Sequence, residues 1–199
     1  MKKFFLLLAV GSFTAFAASA QTTSFGVKAG MTSANMKASG GGMTITTDSK
    51  IGFYAGFLAE IGVSESFAVQ PELYYAAMGA KQEYKFEDES YKITENSNYL
   101  NLPILLKYKN QGFAAFVGPQ VGYLLSAKSK AEGESMDSKD SYKSIDFSGI
   151  IGAGYTLPSG IGIDARYQMG FANIAKDTDG EGTVKNNAFM VGLHYFFNR

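Results

Sequence analysis

The sequence predicts an all-β chain, an eight-stranded antiparallel up-and-down transmembrane β-barrel preceded by a cleaved signal peptide. Three observations carry this prediction. Strand-length segments of alternating apolarity recur along the chain, and their connections alternate between short and long. Beyond the leader, no run of about 18 apolar residues is present to span a bilayer as a helix. The best-defined pair is YLNLPILLKY (Tyr99 to Tyr108) followed by FAAFVGPQVGYLL (Phe113 to Leu125), joined by a turn too short for anything but a hairpin.

The first twenty residues stand apart. Lys2 and Lys3, an apolar stretch from Phe4 to about Ala18, and Ala18-Ser19-Ala20 ahead of Gln21 read as a secretory signal with a small-x-small cleavage site. The expected division is therefore a signal peptide, residues 1–20, and one outer-membrane β-barrel domain, residues 21–199. With 18 basic and 18 acidic residues, the charge balance argues against nucleic acid or anionic headgroups as electrostatic partners. No cysteine is present, which excludes a disulfide framework, a Cys-based metal site and a lipoprotein anchor.

Taken in order, the first strand runs near Thr23 to Ser33, with Phe25, Val27, Ala29 and Met31 on one face and Gly26, Lys28 and Gly30 on the other. A Gly-rich connection, Ala34 to Ser49, leads to the second strand, Lys50 to Ile61, which sets Phe53, Ala55 and Phe57 against Tyr54, Leu58 and Glu60. Gly62 to Glu65 is a short turn into the third, Ser66 to Ala80, where Phe67, Val69, Leu73 and Tyr75 oppose Gln70, Glu72 and Tyr74. A charged loop, Lys81 to about Ser97, precedes the central hairpin, whose strands are the fourth and fifth. Another, Lys128 to Ser144, precedes the sixth strand, Ile145 to Thr156. After the turn Leu157 to Gly160, the seventh strand spans Ile161 to Ala172. The last polar loop, Asn173 to Lys185, leads to the eighth, Asn186 to Phe197. An even strand number places both termini on one side, expected to be periplasmic, with the short turns beside them and the long loops outside the cell.

The apolar face is expected to meet lipid. Apart from Asp146, the fifth and sixth strands carry no charge on either face, which suits hydrocarbon outside and a narrow Gly-lined interior. The aromatics fall into two bands, Phe25, Phe67, Tyr108, Phe113, Tyr155 and Phe197 near the turns, and Phe53, Tyr75, Tyr123, Phe171 and Phe189 toward the loops. Two aromatic girdles flanking an aliphatic band match a bilayer with two interfaces. On the opposite face Lys28, Glu60, Glu72, Lys107, Asp164, Arg166 and His194 all fall in the turn-proximal half. An eight-stranded barrel holds only its own side chains, and charges inside it must pair. The expectation is an internally cross-linked lumen charge network.

Pro71, Pro103 and Pro119 lie within strands although proline cannot donate to the ladder, which predicts a bulge shared by the third to fifth strands. His194, the only histidine, and the Asp164, Arg166 and Glu72 set admit an acid-base reading, but lumen-facing groups are better explained as satisfied structural partners. Asp177-Thr178-Asp179-Gly180-Glu181 has part of a calcium loop's spacing and reads as a polar turn, and Glu87-Asp88-Glu89 with Lys85 and Lys92 reads as solvated loop. Gly40-Gly41-Gly42 reads as a flexible linker. No cofactor or metal site is expected.

The chain resembles the outer membrane protein beta-barrel domain family of Bacteroidetes-type bacteria, often labelled porin-family or PorT-like. The resemblance lies in YLNLPILLKY (99–108), GPQVGY (118–123), GAGY (152–155), ARY (165–167) and the final strand, whose Tyr195 and Phe197 look like an outer-membrane assembly signal. It implies location in the cell outer membrane. Lipid and lipopolysaccharide, the barrel assembly machinery and a protein bound through the loops or the periplasmic face are the implied partners. The expected function is a non-enzymatic, structural or interaction-bearing barrel. A small-solute channel, a PorT-like accessory of secretion and, last, a lipid hydrolase or acyltransferase are the alternatives.

Overall fold

The computed structural model describes residues 22–86, 89–131, 134–176 and 182–198, so the leader, most of Glu87-Asp88-Glu89 and all of Asp177 to Glu181 lie outside the described residues. Ten strands form one antiparallel sheet: β1 Thr23–Gly40, β2 Met43–Thr46, β3 Asp48–Gly62, β4 Phe67–Phe86, β5 Glu89–Asn110, β6 Phe113–Ala131, β7 Glu134–Asp137, β8 Ile145–Thr156, β9 Ile161–Gly170 and β10 Gly182–Phe196. Eight of them form a ring, closed where β1 pairs with β10 from Gly26↔Phe196 to Gly40↔Gly182. β2 and β7 are short returns that lie against the ends of β1 and β6.

Period-two alternation decides which side chains turn outward. On β9 the burial pattern alternates without a break, Ile161, Ile163 and Ala165 exposed and Gly162, Asp164 and Arg166 buried. Leu102, Leu106, Val117, Ile151 and Leu193 are likewise exposed, so the aliphatic residues face away from the centre. A water-soluble barrel would bury that face; a barrel whose solvent is hydrocarbon presents it.

The strands run well past the apolar belt. The segment Lys81 to Ser97, expected as a loop, continues the β4–β5 ladder to Phe86↔Glu89, and β1, β6 and β10 extend similarly to Gly40, Ala131 and Gly182. Apolar alternation marks only the part of a strand that meets lipid, whereas backbone pairing continues under polar side chains. Gly40-Gly41-Gly42 is not a linker either. Gly40 pairs with Met43 across Gly41 and Gly42, whose φ angles of 56° and 77° make a tight two-residue hairpin turn.

The prolines also behave differently from expectation. Pro71 pairs with Ile104 and Pro119 with Gly149, and the β4–β5 register is the same on both sides of Pro71 and Pro103. Register shifts occur elsewhere, between Ser49 and Tyr54 and between Asn98 and Tyr99. A missing N–H removes one bond without adding a residue, so the ladder skips a pair and keeps its phase.

Candidate functional site

The lumen gathers most of the buried ionisable side chains among the described residues, and alternation aims them there. Gln70 and Glu72 share the inner face of β4, and Asp164 and Arg166 that of β9. Lys28 Nζ and Arg166 Nη1 both donate to Glu72 Oε2 at 2.8 Å. Arg166 Nε donates to Asp164 Oδ1 at 2.8 Å, and Asp164 Oδ2 lies 3.4 Å from His194 Nδ1. His194 Nε2 stands 3.0 Å from the Thr156 hydroxyl. On the other flank Gln70 Nε2 donates to Glu72 Oε1 at 2.6 Å, and Lys107 donates to Gln70 Oε1 at 2.9 Å and to Glu60 Oε2 at 2.7 Å. The structure thus joins Lys28, Glu60, Glu72, Lys107, Asp164, Arg166 and His194 into one hydrogen-bonded chain, each of them buried.

Aromatic faces complete the solvation of the cations. Lys28 Nζ lies 5.1 Å and 5.2 Å from the ring centres of Tyr54 and Tyr74, and the Arg166 guanidinium 4.9 Å from that of Phe116. A void among Lys28, Glu72, Phe116, Thr156 and Arg166 has about 10 Å³, room for about one water molecule. Sequence reasoning missed Lys109, whose Nζ donates to Glu60 Oε1 at 2.6 Å from the barrel rim. Its position two residues from Lys107 on the same face was the available signal.

Toward the loop end the lining changes character. Tyr54, Tyr74, Tyr99, Met78, Leu124 and Met190 form a packed layer across the lumen. Gly192 makes room for it, because a Cβ there would collide with the Tyr54 hydroxyl. Tyr74 donates to Gln120 Oε1, and Gln120 donates to Ser148 at 3.0 Å. Above this layer Ile174, fully buried, packs with Met36 and Ala80 in the mouth, against Tyr142 and Val184. Two connections cross there. Tyr142 bridges to Ala175, Lys143 N–H donates to Ile174 O at 2.7 Å, and Lys176 N–H donates to Ser141 O at 3.0 Å. Burial and the nearby Glu95 push the Tyr142 phenol up to about 12.

On the outer surface Phe25, Phe67, Tyr108, Phe113, Tyr155 and Phe197 are exposed at the turn end, and Phe53, Tyr123, Phe171 and Phe189 at the loop end, with Tyr75 half-buried against Phe53 at 5.6 Å between ring centres. An exposed aliphatic band bounded by aromatics around a filled interior defines an integral membrane β-barrel. The chain belongs to the outer membrane protein beta-barrel domain family, whose model matches residues 19–176. Among solved structures, Neisserial surface protein A is similar over 87% of this chain and 98% of its own, with a TM-score of 0.53 and 16% identity. The attachment invasion locus protein Ail of Yersinia pestis, crystallised with the heparin analogue sucrose octasulfate, matches over 88% of this chain and 99% of its own (TM-score 0.47, 16% identity). OprG from Pseudomonas aeruginosa matches over 90% and 98% (TM-score 0.44, 14% identity). None of the curated proteins matches the sequence.

Proposed function

We propose that this protein is a sealed, non-catalytic outer-membrane scaffold that works through the surface of its projecting hairpins. The observation that carries this reading is the continuity of packing along the lumen. The ion network, the tyrosine and methionine layer and the Ile174 closure follow one another, and the network itself leaves about 10 Å³. A hydrated ion or small metabolite needs a wider path than one water. The Asp164, His194 and Thr156 arrangement has acid-base geometry, but His194 is 8% exposed and faces the interior, away from any lipid substrate.

In this reading the turn end, where Phe197 N–H bonds Phe25 O and the first and last strands meet, faces the periplasm, and β10 presents the assembly signal to the barrel assembly machinery. The aromatic and aliphatic belt contacts lipid and the lipid A acyl chains of lipopolysaccharide. The extended β4–β5 hairpin stands above the belt as the main contact surface for a protein partner. No observation favours the secretion-accessory reading over this one.

Planar-bilayer recording of the purified barrel tests the seal: the expected result is no stable conductance, and steady ohmic openings would overturn the reading. Cross-linking in native membranes tests the surface. Partners captured by the wild type are expected to be lost when residues 82–93 are replaced by a two-residue turn, while the shortened barrel still assembles.

A further inference from the structure

Beyond the apolar belt, Lys81 pairs across the ladder with Asp48, Lys92 with Glu83 and Lys128 with Asp137. Lys37 and Lys185 are placed differently, because they face each other in the β1–β10 pairing. Alternation turns both outward, since Ala34 and Met36 on β1 and Asn186 and Ala188 on β10 are buried. Neither lysine has an ion-pair or hydrogen-bond partner among the described residues. Like charges directly opposite, with Cβ atoms about 5 Å apart, destabilise a ladder, and an anion shared between them removes that cost.

The pair stands four residues past Ser33↔Phe189, and Phe189 belongs to the loop-end girdle. At about 3.3 Å per residue on a strand tilted by about 40°, this is about 10 Å past the girdle. Lysine stems reach back toward the bilayer, which brings both ammonium groups to the headgroup layer. The residues in between carry amides rather than acids, Asn35 opposite Asn187. Gly170 N–H donates to Asn187 Oδ1 at 3.3 Å, which leaves the Asn187 Nδ2 protons to donate elsewhere. Thr46 flanks Lys37 on its other side, in the β1–β2 pairing. Two ammonium groups, an amide N–H and a hydroxyl suit a phosphate monoester, which carries about 1.5 to 2 negative charges at neutral pH. The near-zero net charge is an average over the chain, and it is not kept on this strip.

We propose that Lys37 and Lys185, with Asn187, hold a phosphate group of an outer-leaflet lipid whose acyl chains lie on the belt beneath. Met31, Phe189 and Val191, all exposed on the same face of β1 and β10, supply that apolar bed. A lipid phosphate gains from both the ammonium pair and the bed, whereas free phosphate gains only from the first. The proposal rests on the reading that the loop end faces the cell exterior.

The test is native mass spectrometry of the full mature barrel in neutral detergent, counting bound lipid A that carries its phosphates and lipid A from which they have been removed. The wild type is expected to retain the phosphorylated form preferentially. Lys37→Gln and Lys185→Gln should each weaken that retention about fivefold and together about thirtyfold. Lys37→Arg with Lys185→Arg should restore it. Lys143→Gln with Lys176→Gln removes the same charge from the mouth and should change nothing. Equal retention of the two lipids by the wild type, or a loss as large in the mouth variant as in the Lys37 and Lys185 variant, would overturn the proposal. So would displacement of the lipid by equimolar inorganic phosphate, because the anion alone would then be the ligand. Orientation is read separately, from labelling of Met136→Cys by an impermeant maleimide on intact cells. Labelling only after the outer membrane is permeabilised removes the reading beneath the proposal, whereas labelling from outside with unchanged lipid retention in the Lys37 and Lys185 variants removes the site alone.

Discussion

The two halves of the lumen solve the same steric problem with different chemistry. At the turn end, acids and bases in near balance fill the barrel and satisfy one another through bonds of 2.6 to 3.4 Å. At the loop end, tyrosines, methionines and small residues fill it, and five buried polar side-chain atoms of the described residues lack a partner: Tyr54 OH, Ser97 Oγ, Asn101 Nδ2, Asp146 Oδ1 and Gln168 Oε1. None of the seven residues of the charged network appears among them. A charged network in a dry interior must be complete, because each unmatched charge is severely penalised, whereas a neutral layer tolerates gaps at smaller cost. The turn-end half is therefore held by its own ion pairs, whereas the loop-end half, whose buried lining is neutral but for Asp146, is held by side-chain packing and by the connections in the mouth.

The largest expected effect breaks the charged half. Glu72→Ala removes the anion shared by Lys28 and Arg166 and leaves two cations buried at the barrel centre. A loss of about 3–5 kcal/mol is expected, read as a lower urea midpoint for unfolding from detergent or bilayer. Second, Ile174→Ala empties the mouth. The expected cost is about 2 kcal/mol, and a cysteine placed at Ser97 should become reactive toward an impermeant maleimide in intact membranes while the same probe fails in the parent.

Third, the mouth should loosen at high pH. The folded Tyr142 phenol holds its proton up to about 12, above its ordinary value of 10.0. Its contribution is therefore complete below pH 10 and disappears as pH rises toward 12, because the unfolded form ionises first. Maleimide access to the Ser97 cysteine should rise through that window, and Tyr142→Phe should flatten the response. The smallest effect is expected at Lys109, which stands at the rim with 23% of its side chain exposed and shares Glu60 with the more deeply placed Lys107. Lys109→Ala should cost under about 1 kcal/mol, a difference that sharpens the contrast with Glu72→Ala on the same apparatus.

Much of this layout was legible in the residues. The outward set Leu102, Leu106, Val117 and Ile151 and the inward set Lys28, Glu72, Lys107 and Arg166 both follow from period-two alternation, a local property of each strand. The strand ends were not legible, because past the lipid belt the side chains on both faces are polar and only backbone pairing carries the ladder onward. The phase at Pro71, Pro103 and Pro119 also depended on the neighbouring strand, since a lost donor is accommodated by skipping a bond rather than by adding a residue. Asp146 looked like an isolated charge at the start of a strand, and nothing in its own segment disclosed that it would be buried against Gly122, Asn186 and Tyr99.

The sequence by itself determined that this chain is a barrel strand by strand, which face meets hydrocarbon, and that acids and bases share its turn-end interior. Those facts reside in the alternation of neighbours along one strand. Tertiary structure alone decided which acid meets which base, that Ile174 would return from a polar connection to close the mouth, and that one carboxylate would be left without a basic partner. Such outcomes depend on how far each strand is staggered against the next around a closed ring, and that stagger is set by the whole circuit of hydrogen bonds rather than by any segment within it.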